Sequence, residues 1–236
     1  MIKNTIIPYT DEGTALEGYL VFPSEKKRPL VVLCHAWRGR DDFICEKAKQ
    51  VAALGYVGFA IDMYGKGILG NTKEENAALK KPFIEDRYLL QRRLLAGFDK
   101  ACTLPQVDPA QIVVLGFGFG GLCALELARS GVGLKGAISI YGHFEFPVQS
   151  PLQSIKSKVL ILHGYNDPVS PMSELYAFQQ ELNKDKVDWQ SHIYGNTFHA
   201  FATPSANDPD SGIMYNATSA HRAWNEVERF LIEIFS

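Results

Sequence analysis

The sequence predicts an α/β protein: a mostly parallel sheet covered by helices on both faces, with an antiparallel hairpin at the N-terminal end. Three observations carry this expectation. Apolar runs such as Leu30-Val31-Val32-Leu33-Cys34 lack the polar alternation of a strand with one wet face. Such runs alternate with stretches of helical length along most of the chain. And the apolar Ile112-Val113-Val114-Leu115 passes through the glycine-rich Gly116-Phe117-Gly118-Phe119-Gly120-Gly121 into Ala/Leu-rich helical sequence, Leu122 to Arg129.

Taken in order, residues 2–9 and 16–22 alternate apolar and polar side chains about Asp11-Glu12-Gly13, which predicts the hairpin. Residues 29–34 are the next strand. Asp41-Asp42 caps a helix that runs to Leu54 and stops at Gly55. Residues 57–61 form a strand that ends in Asp62-Met63-Tyr64-Gly65. The polar stretch 65–81 reads as a surface excursion, followed by one helix near 84–103. Past the glycine-rich turn, strands are expected at 134–141, 158–163 and 187–194, with helices at 172–183 and 218–235. No repeat, low-complexity tract or linker interrupts the chain, so residues 1–236 are expected to form one domain.

Composition excludes several classes of function. Of 236 residues, 24 are basic and 26 acidic, and the longest basic cluster is Lys26-Lys27-Arg28, which is no nucleic-acid footprint. No apolar run approaches the ~18 residues of a membrane span, and no leader pattern opens the chain. A cytoplasmic protein without membrane contact is expected, as a monomer or small homo-oligomer. Cys34, Cys45, Cys102 and Cys123 form no C-x-x-C pair and are expected as reduced, packed thiols. The six histidines show no H-x-H or H-E-x-x-H spacing, so neither a metal nor a cofactor is expected.

Parallel sheets place their sites at the carboxyl ends of the strands. His35, Asp62, Gly118, Tyr141, Asp167 and His199 each follow a strand, so one lip of the sheet should hold all six. Strand, tight glycine turn and helix resemble the nucleophile elbow of α/β-hydrolases, G-x-Nuc-x-G, and the fold expected is theirs. Asp167 and His199 follow in the chain order of that class, nucleophile, acid, histidine. The nucleophile position itself is Gly118. Glycine is conformationally suited there, because an elbow residue sits at positive φ, a strain of roughly 1–3 kcal/mol for a residue with a Cβ.

The ordered set of motifs is more specific still. It comprises His35-Ala36-Trp37-Arg38-Gly39 with Asp41-Asp42, then Asp62-Met63-Tyr64-Gly65, then Gly116-Phe117-x-Phe119-Gly120-Gly121. His163-Gly164-x-x-Asp167 and His199-Ala200-Phe201 complete it. From the third strand onward this set resembles the dienelactone hydrolase family. The resemblance implies hydrolysis of a small ester or lactone through a Cys-His-Asp triad, with Gly118 where that family carries Cys. It also implies oxyanion donors at the backbone N–H groups of Phe119 and Trp37. Two positions depart from the family: Ala36 stands where well-known members carry Glu, and Thr203 where they carry a substrate-binding Arg. An engineered, variant or natural loss of the thiol all fit the sequence.

His35, Ala36, Tyr64, Tyr141 and Phe201 are assigned to the substrate pocket, with His143 and Phe198 near its border. Arg87, Arg92 and Arg93 read as a solvated helix face. Two rivals remain: a non-catalytic protein that binds a small ligand in the retained pocket, and a dinucleotide site at Gly116-x-Gly118-x-x-Gly121. The second lacks its acid near Tyr141, where Glu145 is the nearest candidate, and leaves Asp167 and His199 without a role.

Overall fold

The computed structural model describes residues 1–145 and 154–236. The N-terminal hairpin pairs β1 (Lys3–Asp11) with β2 (Thr14–Phe22), register Asp11 opposite Thr14. It continues into an eight-stranded sheet of order β1-β2-β4-β3-β5-β6-β7-β8. The inner strands are β3 (Arg28–Cys34), β4 (Val57–Ala60), β5 (Val107–Phe117), β6 (Gly136–Ile140) and β7 (Lys158–Gly164). β8 (Trp189–Tyr194) closes the far edge. β2 pairs antiparallel with β1 and β4, and every other pairing in this sheet is parallel.

The continuous apolar runs have the cause expected of them. Leu30, Val32 and Cys34 pack on one face of the sheet, and Val31 and Leu33 on the other. The first face is covered by α3 (Arg87–Cys102), α4 (Phe119–Arg129) and α5 (Met172–Lys184), through Leu90, Leu94, Leu122 and Phe178. The second is covered by α1 (Asp42–Ala53) and α6 (Ala217–Phe235), through Ile44, Val51, Val227 and Phe230. The Asp41 side chain caps α1 by accepting from the Ile44 amide, as its place in the sequence predicts.

Two stretches differ from expectation. The excursion at 65–81 contains the start of α2 (Lys73–Glu85), and the helix expected near 84–103 is split at Asp86. The Asp86 carboxylate accepts from the amides of Tyr88 and Leu89, and this cap, with its extended backbone, starts α3 as a separate helix. Between β8 and α6, β9 (Asn207–Asp208) and β10 (Ile213–Met214) form a small antiparallel pair around a 3₁₀ turn at Pro209–Ser211.

Arg87 and Arg93 correct the solvated-face expectation, because both are buried. Arg93 Nε donates to Asp11 Oδ2 at 2.7 Å and its Nη1 to the Met63 carbonyl at 2.6 Å, which ties α3 to the hairpin and to the loop after β4. Arg92 is part exposed and pairs with Asp11 and Glu12.

Candidate active site

Parallel register brings the strand ends to one lip: Cys34 lies opposite Gly116, and Gly116 opposite Ser139. At that lip β5 turns sharply into α4 through Gly118, at φ 56° and ψ −116°. The turn depends on its neighbours being glycines. A Cβ on Gly116 would stand 1.8 Å from the Gly120 carbonyl oxygen, and one on Gly120 2.0 Å from that of Cys34. Strand and helix therefore cross at backbone contact. Position 118 is different: a Cβ there would meet the Tyr141 ring at 3.4 Å and His199 Nε2 at 3.7 Å, both ordinary contacts.

His199 faces this position because its loop is held at both sides. Its amide donates to the Gly212 carbonyl and its carbonyl accepts from Met214, each at 3.0 Å. The Nδ1 nitrogen lies 2.8 Å from Asp167 Oδ2. The other Asp167 oxygen accepts from the amides of Val169 and Ser170, both at 2.9 Å. Burial pushes the Asp167 carboxyl up, but the His199 hydrogen bond and charge and the Ser170 amide outweigh it and hold the group below its ordinary value. The Asp167 carboxylate accepts the hydrogen bond of the His199 Nδ1–H, and in the tautomer this selects Nε2 is an acceptor toward position 118. Tyr141 packs edge-on against the imidazole, ring centroids 5.3 Å apart, and its hydroxyl lies 2.8 Å from Thr203 Oγ1.

The loop after β3 is fixed by side chains behind it. Tyr64 donates its hydroxyl to the Trp37 carbonyl at 2.9 Å. His35 Nδ1 donates to the Ala36 carbonyl at 2.7 Å, and its Nε2 accepts from the Met63 amide. Asp62 accepts from the amides of Glu17, Tyr64, Gly65 and Gly67. Among the described residues neither the Trp37 nor the Phe119 amide has a protein acceptor, and both residues line the cavity above Gly118.

That cavity holds about 400 Å³. Ala36, Trp37, Gly118, Phe119, Tyr141 and His199 form its floor and walls. His35, Tyr64 and Phe201, assigned to the pocket from sequence, are not among its lining residues: they lie behind the wall and buttress it. Neither Arg87, Arg92 nor Arg93 reaches it. His143 does, 5.7 Å ring to ring from His199. Burial first, then the charges of His199 and Lys80, push the His143 imidazole down to about 3, so it is neutral at physiological pH. Asn76 and Lys80 of α2 also line the cavity, and Lys73 bonds Asp208 across its mouth. Sequence reasoning missed these three because it missed the first part of α2; Thr72-x-x-Glu75, a helix-start pattern, was the available signal. The thiols lie elsewhere: Cys34 and Cys123 are buried, and burial pushes both up, away from reactive thiolate.

A mostly parallel sheet, a strained strand-to-helix elbow and a His–Asp pair at the same lip define an α/β-hydrolase. The dienelactone hydrolase family profile matches residues 16–235, and the chain belongs to that family. Its fold matches a dienelactone hydrolase-like promiscuous phosphotriesterase from metagenomic libraries at TM-score 0.93 and 31% identity, covering 100% of this chain and 99% of the other. A Synechocystis protein provisionally named carboxymethylenebutenolidase is 25% identical over 97% of this chain and 96% of its own. A Bradyrhizobium protein provisionally named 2-oxo-3-(5-oxofuran-2-ylidene)propanoate lactonase is 26% identical over 98% and 96%. No described helix is long and apolar enough to cross a membrane.

Proposed function

We propose that this chain carries the machinery of a small-ester and lactone hydrolase of the dienelactone hydrolase type, with its covalent nucleophile replaced by Gly118. In this reading His199 is the general base and acid, Asp167 orients it, and the Phe119 and Trp37 amides receive the oxyanion. The observation that carries it is the 3.7 Å between His199 Nε2 and the Cβ position of residue 118, free of any clash. A thiol on that Cβ has His199 as its proton acceptor and the N-terminus of α4 to favour thiolate.

With a cysteine at 118, thiolate attacks the carbonyl carbon, and the tetrahedral oxyanion accepts from the two amides. Collapse expels the alcohol, which takes the proton held by His199, and water activated by the same imidazole releases the acid. With glycine at 118 this covalent route is closed. Activity in a triad lacking its nucleophile falls on the order of 10⁶-fold, leaving about 10³–10⁴ over water. The lactonase name of the Bradyrhizobium relative supports lactones as substrates.

The second reading, a ligand-binding protein without turnover, is favoured by the retained cavity beside a missing nucleophile. One experiment separates them: Gly118→Cys assayed on p-nitrophenyl acetate and small lactones, with Gly118→Cys/His199→Ala as control. Acceleration in the first that vanishes in the second supports the hydrolase. A folded Gly118→Cys protein no faster than its parent sinks it and leaves the binding reading.

A further inference from the structure

Cut at the Cα–Cβ bond, a cysteine side chain is methanethiol. The volume such a side chain would fill at position 118 opens on the cavity and is bounded by the Tyr141 ring and His199 Nε2, at 3.4 and 3.7 Å from its first atom. One border is apolar and aromatic. The other is a single hydrogen-bond acceptor, since Nδ1 is committed to Asp167. A small neutral molecule with one proton to give and an apolar or absent tail matches both.

We propose that Gly118 creates a subsite for a small diffusible nucleophile, water by default and methanethiol or hydrogen sulfide when supplied, and that the chain as it stands transfers acyl groups to it in a single displacement. This rests on the reading of His199 as general base. The nucleophile's proton passes to His199 Nε2 as its oxygen or sulfur bonds to the ester carbonyl carbon. The tetrahedral oxyanion then collapses, the carbon–alkoxide bond breaks, and the leaving alkoxide takes the proton back from His199. Water yields acid and alcohol; methanethiol yields a methyl thioester and alcohol; hydrogen sulfide yields a thioacid and alcohol. No oxidant and no covalent enzyme intermediate is required. The sulfur nucleophiles outrun water because thiols give up the proton more readily and attack as thiolate beside the N-terminus of α4.

The test uses the full chain with p-nitrophenyl acetate, following p-nitrophenol release and acyl products by mass spectrometry. Expected is slow turnover without a burst, accelerated at least tenfold by methanethiol with saturation, giving S-methyl thioacetate, while glutathione has no such effect. His199→Ala abolishes both rates. Gly118→Ala abolishes the methanethiol acceleration, because its methyl group stands where the methanethiol carbon must. A linear, non-saturating response to methanethiol, an acyl-enzyme seen by intact mass, or a folded Gly118→Ala protein rescued as well as its parent each overturns the proposal. Saturation in the unmutated chain decides the matter even where Gly118→Ala folds poorly. Gly118→Cys separates the two levels. If it hydrolyses ester in a His199-dependent way while the parent is not rescued, the subsite fails and the hydrolase reading stands; if it is silent, that reading fails first.

Discussion

Tyr64 holds Trp37 by its hydroxyl, at 2.9 Å from the carbonyl oxygen, while its ring stacks on Phe119 at 6.2 Å and 16°. One buried side chain thus spans the two residues whose amides are assigned to the oxyanion. Tyr64→Phe keeps the stacking and removes the tether. In a Gly118→Cys background it should lower kcat several-fold to tenfold, the worth of one hydrogen bond of about 1 kcal/mol, with KM little changed. Steady-state kinetics on p-nitrophenyl acetate checks this. A change confined to KM would instead make Tyr64 a shaper of the acyl pocket.

Asp167→Asn in the same background should cost on the order of 10⁴ in kcat. An amide at that position offers Nδ1 a donor in place of an acceptor, which turns the tautomer and leaves Nε2 protonated toward residue 118. Rate loss with thermal stability largely kept is the expected pattern; an active variant would remove Asp167 from the mechanism.

His143 makes acid stability testable. Burial pushes its imidazole down to about 3 in the folded protein, against 6.5 for a free histidine. Between those values the unfolded chain binds the proton and the folded one does not, so stability rises with pH. The contribution is fully present above pH 6.5 and is lost as pH falls, by about 1.4 kcal/mol per unit. Buried His35 and His163, both pushed down by burial, add to the same limb. Urea midpoints measured from pH 7 to 5 should fall more gently in His143→Asn than in the parent. Equal slopes would show that His143 ionises without unfolding.

The buried Arg93–Asp11 pair anchors the hairpin. Arg93→Ala leaves the buried Asp11 carboxylate with only the part-exposed Arg92 and takes the donor from the Met63 carbonyl, and should cost about 3 kcal/mol, while Arg92→Ala, at the exposed side of the same carboxylate, should cost little. Chemical denaturation of both variants tests the ranking, and a reversed order would place the anchor in Arg92.

What could be read in advance follows from where the causes lie. The sheet, the elbow and the Asp167 and His199 positions were legible because apolar runs, close-packed glycines and strand-end motifs are local signals. Gly116 and Gly120 are required by contacts within the same few residues. α2 was not, since Lys73–Glu85 is polar, contains Pro82 and buries little beyond Asn76 and Phe83. Nor was the β9–β10 pair, two residues per strand, which contacts the His199 loop through the bridge from His199 to Ile213. His35 and Tyr64 follow strands, as pocket residues do, yet neither lines the cavity. Their positions after strands are visible in the sequence, whereas the direction each side chain takes is set by partners far along the chain, Met63 for His35 and Trp37 for Tyr64.

The elbow glycines differ in what they permit, and that difference has a bearing on inheritance. Gly116, Gly120 and Gly121 are locked by atoms at 1.8, 2.0 and 2.7 Å from any added carbon, while Gly118 touches nothing closer than 3.4 Å. Selection for folding therefore guards the first three and is blind to a side chain at the fourth, apart from the modest strain of its backbone. On the proposed reading, the chemistry hangs on the one codon in this turn that folding does not police. On that same reading a lineage can carry the glycine form as a folded protein, and from a GGT or GGC codon a single base change to cysteine places a thiol at the elbow.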